Sequence, residues 1–126
     1  MNLAIDMYRE NILENYKNPK NFGEIKNPTH KASSINKSCG DEITISLVIK
    51  ENKLTDIKFT GKACAICTAS ASLLTEEAKN KKIDEIKKYD KDFSLSLLEI
   101  PISAVRIKCA LLPLETLQKA ILNNGK

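Results

Sequence analysis

The sequence has few of the residues and patterns that mark flexible, repetitive or multidomain chains. It contains 4 glycines and 4 prolines in 126 residues, with no low-complexity run and no repeat of fixed period. We expect such a chain to be ordered apart from its ends. Because 42% of its residues are hydrophobic, it can bury one core without disulfides. We therefore predict a single domain over residues 1–126.

Long hydrophobic runs are also lacking. The opening segment, MNLAIDMYRENILENYK, places Asp6, Arg9 and Glu10 among its apolar residues. A secretory signal or a membrane span needs an uninterrupted apolar stretch, so we predict neither, and we expect a cytoplasmic protein without a membrane partner. In that reducing compartment, cysteines serve more often as metal ligands or reactive thiols than as disulfides.

Arginine and aromatic residues are scarce where positive charge is densest. The formal net charge is +4, and the lysine-rich segment 79–91 contains Tyr89 as its single aromatic residue. Nucleic-acid surfaces usually interleave arginines with stacking aromatics, so we interpret this segment as a solvated helix face and expect no nucleic-acid partner. The sole histidine, His30, lies in a polar segment and is expected to be solvated rather than a metal ligand.

The hydrophobic pattern predicts one helix, then strands, then several helices. Residues 4–16 carry Met7, Tyr8, Ile12 and Tyr16 on one helical face, and residues 27–38 are polar, typical of a loop with room for one edge strand. The runs ITISLVIK and LTDIKFTG alternate on either side of a turn and predict a β-hairpin. This order of elements indicates an α+β fold.

Four helical segments are predicted after the hairpin. They are residues 64–79, KIDEIKKY, DFSLSLLEIP ending near Pro101, and LLPLETLQKAIL with Pro113 in its first turn. The helix over 64–79 has an apolar face formed by Cys67, Ala71, Leu74 and Ala78. Its opposite side is polar and includes Ser72 and Thr75, as expected for an amphipathic helix.

Three of the cysteines lie at predicted element boundaries, where distant segments can converge. Cys39 lies in a loop before a strand, Cys64 at a strand-to-helix junction, and Cys109 just ahead of or at the start of the last helix. Helix N-termini favour thiolate, so Cys64 and Cys109 are expected to be more acidic than a free thiol. With an extended backbone at Gly40, the side chains of Cys39 and Asp41 would point to the same side.

These residues predict a metal site with alternatives left open. Three thiolates and one carboxylate are acceptable to zinc, and the hard oxygen ligand suggests an exchangeable ion. A zinc ribbon would need a second Cys-x-x-Cys, which the sequence lacks. A thioredoxin-like centre at Cys64 and Cys67 fits the junction but leaves Cys39 and Cys109 without a role. All four cysteines could instead be small buried hydrophobes. For Cys67, a buried thiol is the favoured interpretation, with a sulfur relay as the alternative.

Several ordered motifs resemble the NifU/IscU/SufU-type scaffold proteins of iron-sulfur cluster assembly. They are YRENILENYKNPKNFG, SCGDEITI, FTGKACAICTASAS and VRIKCALLPLETLQKAI, and together they span nearly the whole chain. The resemblance implies a small antiparallel sheet with helices packed on it. It also implies that Cys39, Asp41, Cys64 and Cys109 are the ligands, with Cys64 and Cys109 as candidate sulfur acceptors.

The function implied by the resemblance is a scaffold, not an enzyme. It would accept sulfur from a cysteine desulfurase, bind iron, and pass a transient 2Fe-2S cluster to recipient apoproteins, with zinc in the resting form. The alternatives are a zinc-dependent sulfurtransferase, in which no cluster forms, and a structural zinc domain for partner binding.

The motif RIKC resembles the SufU branch, because Lys108 stands where IscU-type members have histidine. In that branch Arg106 helps to engage the desulfurase, and both cations would raise the positive potential at Cys109. Two features depart from these branches. The segment between Cys67 and Cys109 is too short for the SufU-type insertion, and SAVR replaces the IscU-type chaperone motif, which argues against a dedicated chaperone.

Overall fold

Three antiparallel strands form one sheet in the order β1-β2-β3. The computed structural model describes residues 3–122, and the side chains of residues 9–122. The strands are β1 (His30–Asn36), β2 (Asp41–Lys50) and β3 (Lys53–Lys62). The predicted hairpin is confirmed as β2 and β3. Its two turn residues, Glu51 and Asn52, both have positive φ, which a tight two-residue hairpin favours.

The edge strand β1 is more extensive than the sequence predicted. Most of residues 27–38 were expected in a loop, whereas seven of them pair with β2. Ala32 and Ser34 are buried and their neighbours are exposed, so the strand follows the period of the sheet despite its polar composition. Lys119 Nζ donates a hydrogen bond of 2.9 Å to the Ser33 carbonyl oxygen of this edge strand.

Five helices accompany the sheet in the described part of the chain. They are α1 (Leu3–Lys17), α2 (Ala65–Ala78), α3 (Ile83–Ile86), α4 (Lys91–Ser96) and α5 (Ala104–Leu122). The predicted α+β class, with an N-terminal helix first and helices packed on a small antiparallel sheet, is confirmed. Within the described residues, the helices are too short or too polar to span a membrane.

The boundaries of the later helices differ from the prediction. α4 ends at Ser96, and turns follow in which Glu99 takes a φ of 58°, so the helix stops well before Pro101. α5 begins at Ala104, and Pro113 lies in its interior rather than in its first turn. Ser103, a residue type preferred at N-caps, directly precedes α5, and its carbonyl accepts the backbone N–H groups of Arg106 and Ile107.

The main core lies between the sheet and helices α2 and α5. Its fully buried side chains include Ile45 and Leu47 from β2, Leu74 from α2 and Leu117 from α5. A smaller cluster joins α1, α2 and α5 and contains Ile12, Ala69, Leu98 and Ala110. Helices α2 and α5 therefore cover one face of the sheet, and α1 packs on the side of these helices that faces away from the sheet.

Helix α2 is buried on two sides, which corrects the predicted amphipathic pattern. The predicted apolar face of Cys67, Ala71, Leu74 and Ala78 is confirmed as buried. Ser72 and Thr75 were placed on the polar side, but both are 0% exposed. They face α1 and the segment after it, where their hydroxyl groups find partners.

Hydrogen bonds explain how these polar side chains are buried. Ser72 Oγ donates to Asn15 Oδ1 at 2.6 Å and accepts the Lys20 backbone N–H at 2.8 Å. Asn21 Nδ2 donates to Thr75 Oγ1 at 3.1 Å. A buried hydroxyl is tolerated when its hydrogen bonds are satisfied, so a polar stripe can form a helix interface.

The predicted apolar face of α1 is only partly correct. Ile12 is buried, but Tyr16 is 45% exposed, and Asn15 takes the second inward position. The side chains of Met7 and Tyr8 lie outside those that the structure describes.

The strand register brings the segments that carry the cysteines to one end of the sheet. Asn36 pairs with Asp41, which closes the β1-β2 turn, and Glu42 pairs with Lys62 at the end of β3. The turn containing Cys39 therefore lies beside the junction between β3 and α2, where Cys64 is found.

Candidate metal centre

Cys39 and Asp41 meet across a tight turn, but not by the route that the sequence predicted. Gly40 has φ +73°, a left-handed conformation that glycine adopts readily, and its N–H donates to the Asn36 carbonyl at 2.8 Å. The prediction of an extended backbone at this point was therefore wrong. The turn still brings the two side chains together, with Cys39 Sγ donating to Asp41 Oδ2 at 3.1 Å.

Cys64 is the N-cap residue of α2, at the predicted strand-to-helix junction. Its backbone is extended, with φ −67° and ψ 170°, and its Sγ accepts the backbone N–H of Cys67 at 3.5 Å. The cap sulfur thereby takes a donor that the first turn of a helix cannot satisfy internally. Cys64 is partly exposed.

Cys109 was predicted just ahead of or at the start of the last helix, and it lies in the second turn of α5. Its Sγ is 2.9 Å from Cys39 Sγ, and the residue is 3% exposed. Burial raises the pKa of the Cys109 thiol well above its ordinary value, and the neighbouring Cys39 and Asp41 raise it further. The expectation of an acidic thiol was therefore wrong for Cys109, because burial and nearby negative charge replace the helix N-terminus as its environment.

Asp41 connects the cysteines. It is 2% exposed, its Oδ1 accepts the Cys64 backbone N–H at 2.9 Å, and its Oδ2 lies 3.6 Å from Cys64 Sγ. Burial alone would raise the pKa of Asp41, but hydrogen bonds from Cys39, Cys64 and Cys109 outweigh it and hold the pKa below its ordinary value. The side chain is therefore a carboxylate at neutral pH.

The resulting donor set is compact. One ligand atom from each of Cys39, Asp41 and Cys109 lies within 4.8 Å of the other two. Cys64 lies outside this group of three, but its Sγ is 3.6 Å from Asp41 Oδ2 and its backbone N–H donates to Asp41 Oδ1. Three sulfurs and one carboxylate oxygen are donors that zinc and iron both accept, so the chemistry of the donor set fits a thiophilic metal.

The other candidate residues lie around this group. Cys67 is 0% exposed, which confirms the predicted burial, and desolvation together with nearby negative groups raises the pKa of its thiol. His30 lies at the other end of β1, with Nδ1 2.9 Å from Thr29 Oγ1, away from the cysteines. Arg106 and Lys108 are exposed on the first turns of α5.

The electrostatic role of Arg106 and Lys108 stays a prediction. The groups that shift the pKa of Cys109 are Cys39, Asp41 and Cys64, together with burial, and neither cation is among them. Lys108 instead lines an open groove of about 550 Å³ beside the site, with Lys37, Lys91 and Leu111 among the other residues of its wall.

Sequence reasoning missed two residues that shape the site. Asn36 Oδ1 accepts the Ser38 backbone N–H at 3.1 Å and so helps to form the turn that carries Cys39. An asparagine two residues before a serine in NKSCGD was a usable turn signal. Ser103 was an equally usable N-cap signal for α5, and would have placed Cys109 inside the helix.

The fold and donor set define a class: a small α+β protein in which thiols from two loops and a helix surround a buried carboxylate. The family model described as the NifU-like N terminal domain matches residues 7–125. The chain belongs to this family, as its motifs predicted.

Named relatives and solved structures agree with this assignment. The chain is 33% identical over 124 residues to iron-sulfur cluster assembly scaffold protein IscU 1 of Archaeoglobus fulgidus, covering 95% of this chain and 80% of the relative. It is 32% identical to zinc-dependent sulfurtransferase SufU of Bacillus subtilis, covering 91% and 89%. The crystal structure of FiSufU from Fervidobacterium islandicum AW-1 superposes with TM-score 0.76 at 30% identity, covering 89% and 94%.

The alignment with the Bacillus subtilis relative spans 132 positions, more than the length of this chain. That relative therefore has residues that this chain lacks, in keeping with the predicted absence of an insertion.

Proposed function

We propose that the chain is an iron-sulfur cluster assembly scaffold. Residues 1–126 would act as one domain that accepts sulfur from a cysteine desulfurase, binds iron, and passes a 2Fe-2S cluster to recipient apoproteins. The observation that carries this proposal is the convergence of Cys39, Cys64 and Cys109 on the Asp41 carboxylate. Family membership supports it, as does the similarity to the iron-sulfur cluster assembly scaffold protein of Archaeoglobus fulgidus.

The mixed set of sulfur and oxygen donors suits a cluster that must be released to another protein. A hard carboxylate oxygen is a weaker partner than thiolate for a soft metal centre, so a cluster held by three cysteines and Asp41 is bound less firmly than one held by four cysteines. Asp41 is ionised and already oriented by the Cys64 N–H, so it can act as a ligand without first losing a proton.

Exposure distinguishes the candidate sulfur acceptors. A desulfurase must bring a persulfide to the accepting sulfur, and Cys64 is partly exposed, whereas Cys109 is 3% exposed. We therefore assign first acceptance to Cys64 and a mainly ligating role to Cys109. Arg106 and Lys108, exposed on α5 next to the site, would contact the partner protein rather than the metal.

A second candidate function is a zinc-dependent sulfur acceptor that builds no cluster. The similarity to the Bacillus sulfurtransferase and the lysine in RIKC favour it. In this case zinc would be held by Cys39, Asp41, Cys64 and Cys109, and its charge would favour the thiolate form of the buried cysteines. A displaced cysteine would then accept the sulfur.

One experiment separates the two functions. The purified chain is incubated anaerobically with a cysteine desulfurase, cysteine and ferrous iron, and is then analysed by visible absorption and metal content. A scaffold gives a coloured product containing iron and sulfide. A colourless product that retains zinc, with desulfurase turnover stimulated, would refute cluster assembly and favour sulfur transfer. A Cys39→Ser variant serves as the control, because it removes a proposed ligand without altering Cys64.

A further inference from the structure

Cys67 is a fourth thiol beside the site that no proposed metal ligation uses. It lies one helical turn after Cys64, and its backbone N–H donates to Cys64 Sγ at 3.5 Å. Its side chain is 0% exposed and belongs to the core cluster against which Cys64 packs. An N-cap cysteine and a cysteine three residues later lie on the same side of the first turn, so their sulfurs can meet.

We propose that Cys67 is the resolving thiol for a persulfide carried by Cys64, and that it releases the bound sulfur as sulfide. This inference rests on the proposed function, since it assumes that Cys64 accepts sulfur. A cluster contains sulfide, whereas a persulfide delivers sulfur at the oxidation level of elemental sulfur. Two electrons must therefore be supplied for each sulfur atom, and the joining of the carrier cysteine and a neighbouring thiol in a disulfide supplies them.

The step balances in atoms and electrons. Cys67 Sγ attacks the inner sulfur of the Cys64 persulfide, so the Cys64–Cys67 disulfide forms as the bond to the outer sulfur breaks. The outer sulfur leaves as hydrosulfide and carries away the Cys67 proton. The two electrons that reduce it come from the Cys64 and Cys67 sulfurs, one from each, as the two become a disulfide. A protein or small-molecule dithiol then reduces the disulfide and returns both cysteines to thiols.

The surroundings favour Cys67 over Cys39 as the partner of Cys64. The Asp41 Oδ2 atom contacts both Cys39 Sγ, at 3.1 Å, and Cys64 Sγ, at 3.6 Å, and Cys64 is not one of the three residues whose ligand atoms all lie within 4.8 Å of one another. Cys39 is instead adjacent to Cys109, at 2.9 Å between sulfurs. Because Cys67 is shielded from solvent, its reaction is restricted to the sulfur that caps its own helix.

The test uses a chain that keeps only this pair of cysteines, the Cys39→Ser/Cys109→Ser variant. The metal-free protein is loaded anaerobically with inorganic polysulfide, freed of excess reagent, and followed without reductant. We expect hydrosulfide release that approaches one per loaded chain, and peptide mass mapping should show a Cys64–Cys67 disulfide. Adding Cys67→Ser should slow release by at least roughly tenfold, because the resolving thiol is no longer held next to the persulfide, which should persist on Cys64.

Two further variants test whether a folding defect, rather than loss of the thiol, explains the effect of Cys67→Ser. Cys67→Ala removes the thiol without burying a hydroxyl, and Ala71→Ser buries a hydroxyl on the same helix face without touching the thiol. The first should retain its persulfide, and the second should release sulfide like its parent. Equal release with and without Cys67 would overturn the proposal, as would a Cys39–Cys109 disulfide as the main product of the wild-type chain.

A parallel experiment in which a cysteine desulfurase replaces polysulfide distinguishes this inference from the proposed function. Polysulfide loads Cys64 without any partner, so it tests Cys67 alone. If a desulfurase leaves no persulfide on Cys64 while polysulfide-loaded protein still forms the Cys64–Cys67 disulfide, the acceptor role fails and the resolving chemistry stands. If the desulfurase loads Cys64 and no disulfide follows, the acceptor role stands and the role of Cys67 is refuted.

Discussion

At the scale of single residues, Asp41 organises the site before any metal binds. One carboxylate oxygen accepts the Cys64 backbone N–H, and the other lies near the sulfurs of Cys39 and Cys64. Removing it would take the acceptor away from the Cys64 N–H and from the thiols of Cys39 and Cys64, so its effect on the fold can be measured separately from its effect on metal binding.

The first prediction concerns the acid stability of the metal-free protein. The pKa of Asp41 is depressed in the folded state, so the ionised side chain contributes stability above its ordinary pKa of 3.8, and this contribution is lost as the pH falls through the lower folded value. Wild-type protein should therefore lose stability relative to Asp41→Asn as the pH falls below about 5. Urea denaturation of both proteins across this range checks it, and a constant difference in midpoint would contradict it.

The second prediction concerns Tyr89, whose hydroxyl is buried without a hydrogen-bond partner among the described residues. Burial, with the charges of Glu77 and Glu85, raises the pKa of Tyr89 to about 12. The neutral phenol is therefore favoured by the fold, and stability should decline as the pH rises from 10 to about 12. Near-ultraviolet phenolate absorbance should show one late titration that Tyr89→Phe removes.

The exposed Tyr16 provides the matched control for this titration. Tyr16→Phe should leave the late titration in place. At neutral pH, Tyr89→Phe should also be as stable as wild type or up to about 1 kcal/mol more stable, since an unpaired buried hydroxyl is lost. Clear destabilisation by Tyr89→Phe would show that the hydroxyl has a partner in solution.

At the scale of secondary-structure elements, the docking of α1 on α2 depends on polar contacts as well as apolar ones. Ile12 supplies an apolar contact, while the buried Ser72 hydroxyl ties together Asn15 of α1 and Lys20 of the following segment. This arrangement makes the position of α1 sensitive to a single oxygen atom.

The third prediction tests that sensitivity. Ser72→Ala leaves the Asn15 side-chain oxygen and the Lys20 N–H unpaired, so it should lower the free energy of unfolding by about 1–3 kcal/mol. Amide hydrogen exchange in α1 should accelerate. Ser96→Ala, which removes an exposed hydroxyl bonded to the Phe93 carbonyl, should change stability by less than about 0.5 kcal/mol. Equal effects of the two substitutions would argue against a docking role for Ser72.

The elements also show where sequence patterns succeed and where they fail. Alternating β-branched residues and a short turn were enough to predict the hairpin, and the change to helical period at Cys64 placed α2 correctly. α5 was misplaced because Pro113 was taken as a helix start, whereas tertiary packing keeps this proline inside the helix, fully buried. The local pattern could not reveal β1 either, since its polar residues form a strand only by pairing with β2.

For the site, the ligand candidates could be predicted from residue type and motif, but their geometry could not. The motif did not reveal the left-handed turn at Gly40. The contact between Cys39 and Cys109 joins residues 70 positions apart in the chain, and only the assembled sheet and α5 bring them together. The prediction of an acidic Cys109 thiol was wrong for the same reason, because burial by distant segments raises its pKa.

At the scale of the whole molecule, the candidate ligands tie the β1-β2 turn, the start of α2 and α5 together. An ion bound by all three segments would favour the folded chain over the unfolded one, where these residues are far apart. Metal binding and global stability should therefore be linked.

The fourth prediction measures that linkage. At free zinc about 100 times the dissociation constant, the free energy of unfolding should rise by about 2.7 kcal/mol, and a chelator should reverse the rise. Cys39→Ser should lose most of this stabilisation, whereas Cys67→Ser should keep it, since Cys67 is not a proposed ligand. Thermal unfolding with and without zinc provides the measurement, and a similar response in both variants would contradict the assigned ligand set.

The contact between Lys119 and the Ser33 carbonyl has a consequence for the behaviour of the protein at high concentration. Exposed edge strands can recruit strands from other molecules and so seed aggregation. In this protein Lys119 of α5 donates a hydrogen bond to the Ser33 carbonyl of the edge strand and places a positive charge beside it. A strand from a second copy would find this carbonyl already hydrogen-bonded, and its own lysine would be repelled by the charge. Helix α5 thus carries one of the candidate ligands, Cys109, and also places a lysine against one edge of the sheet.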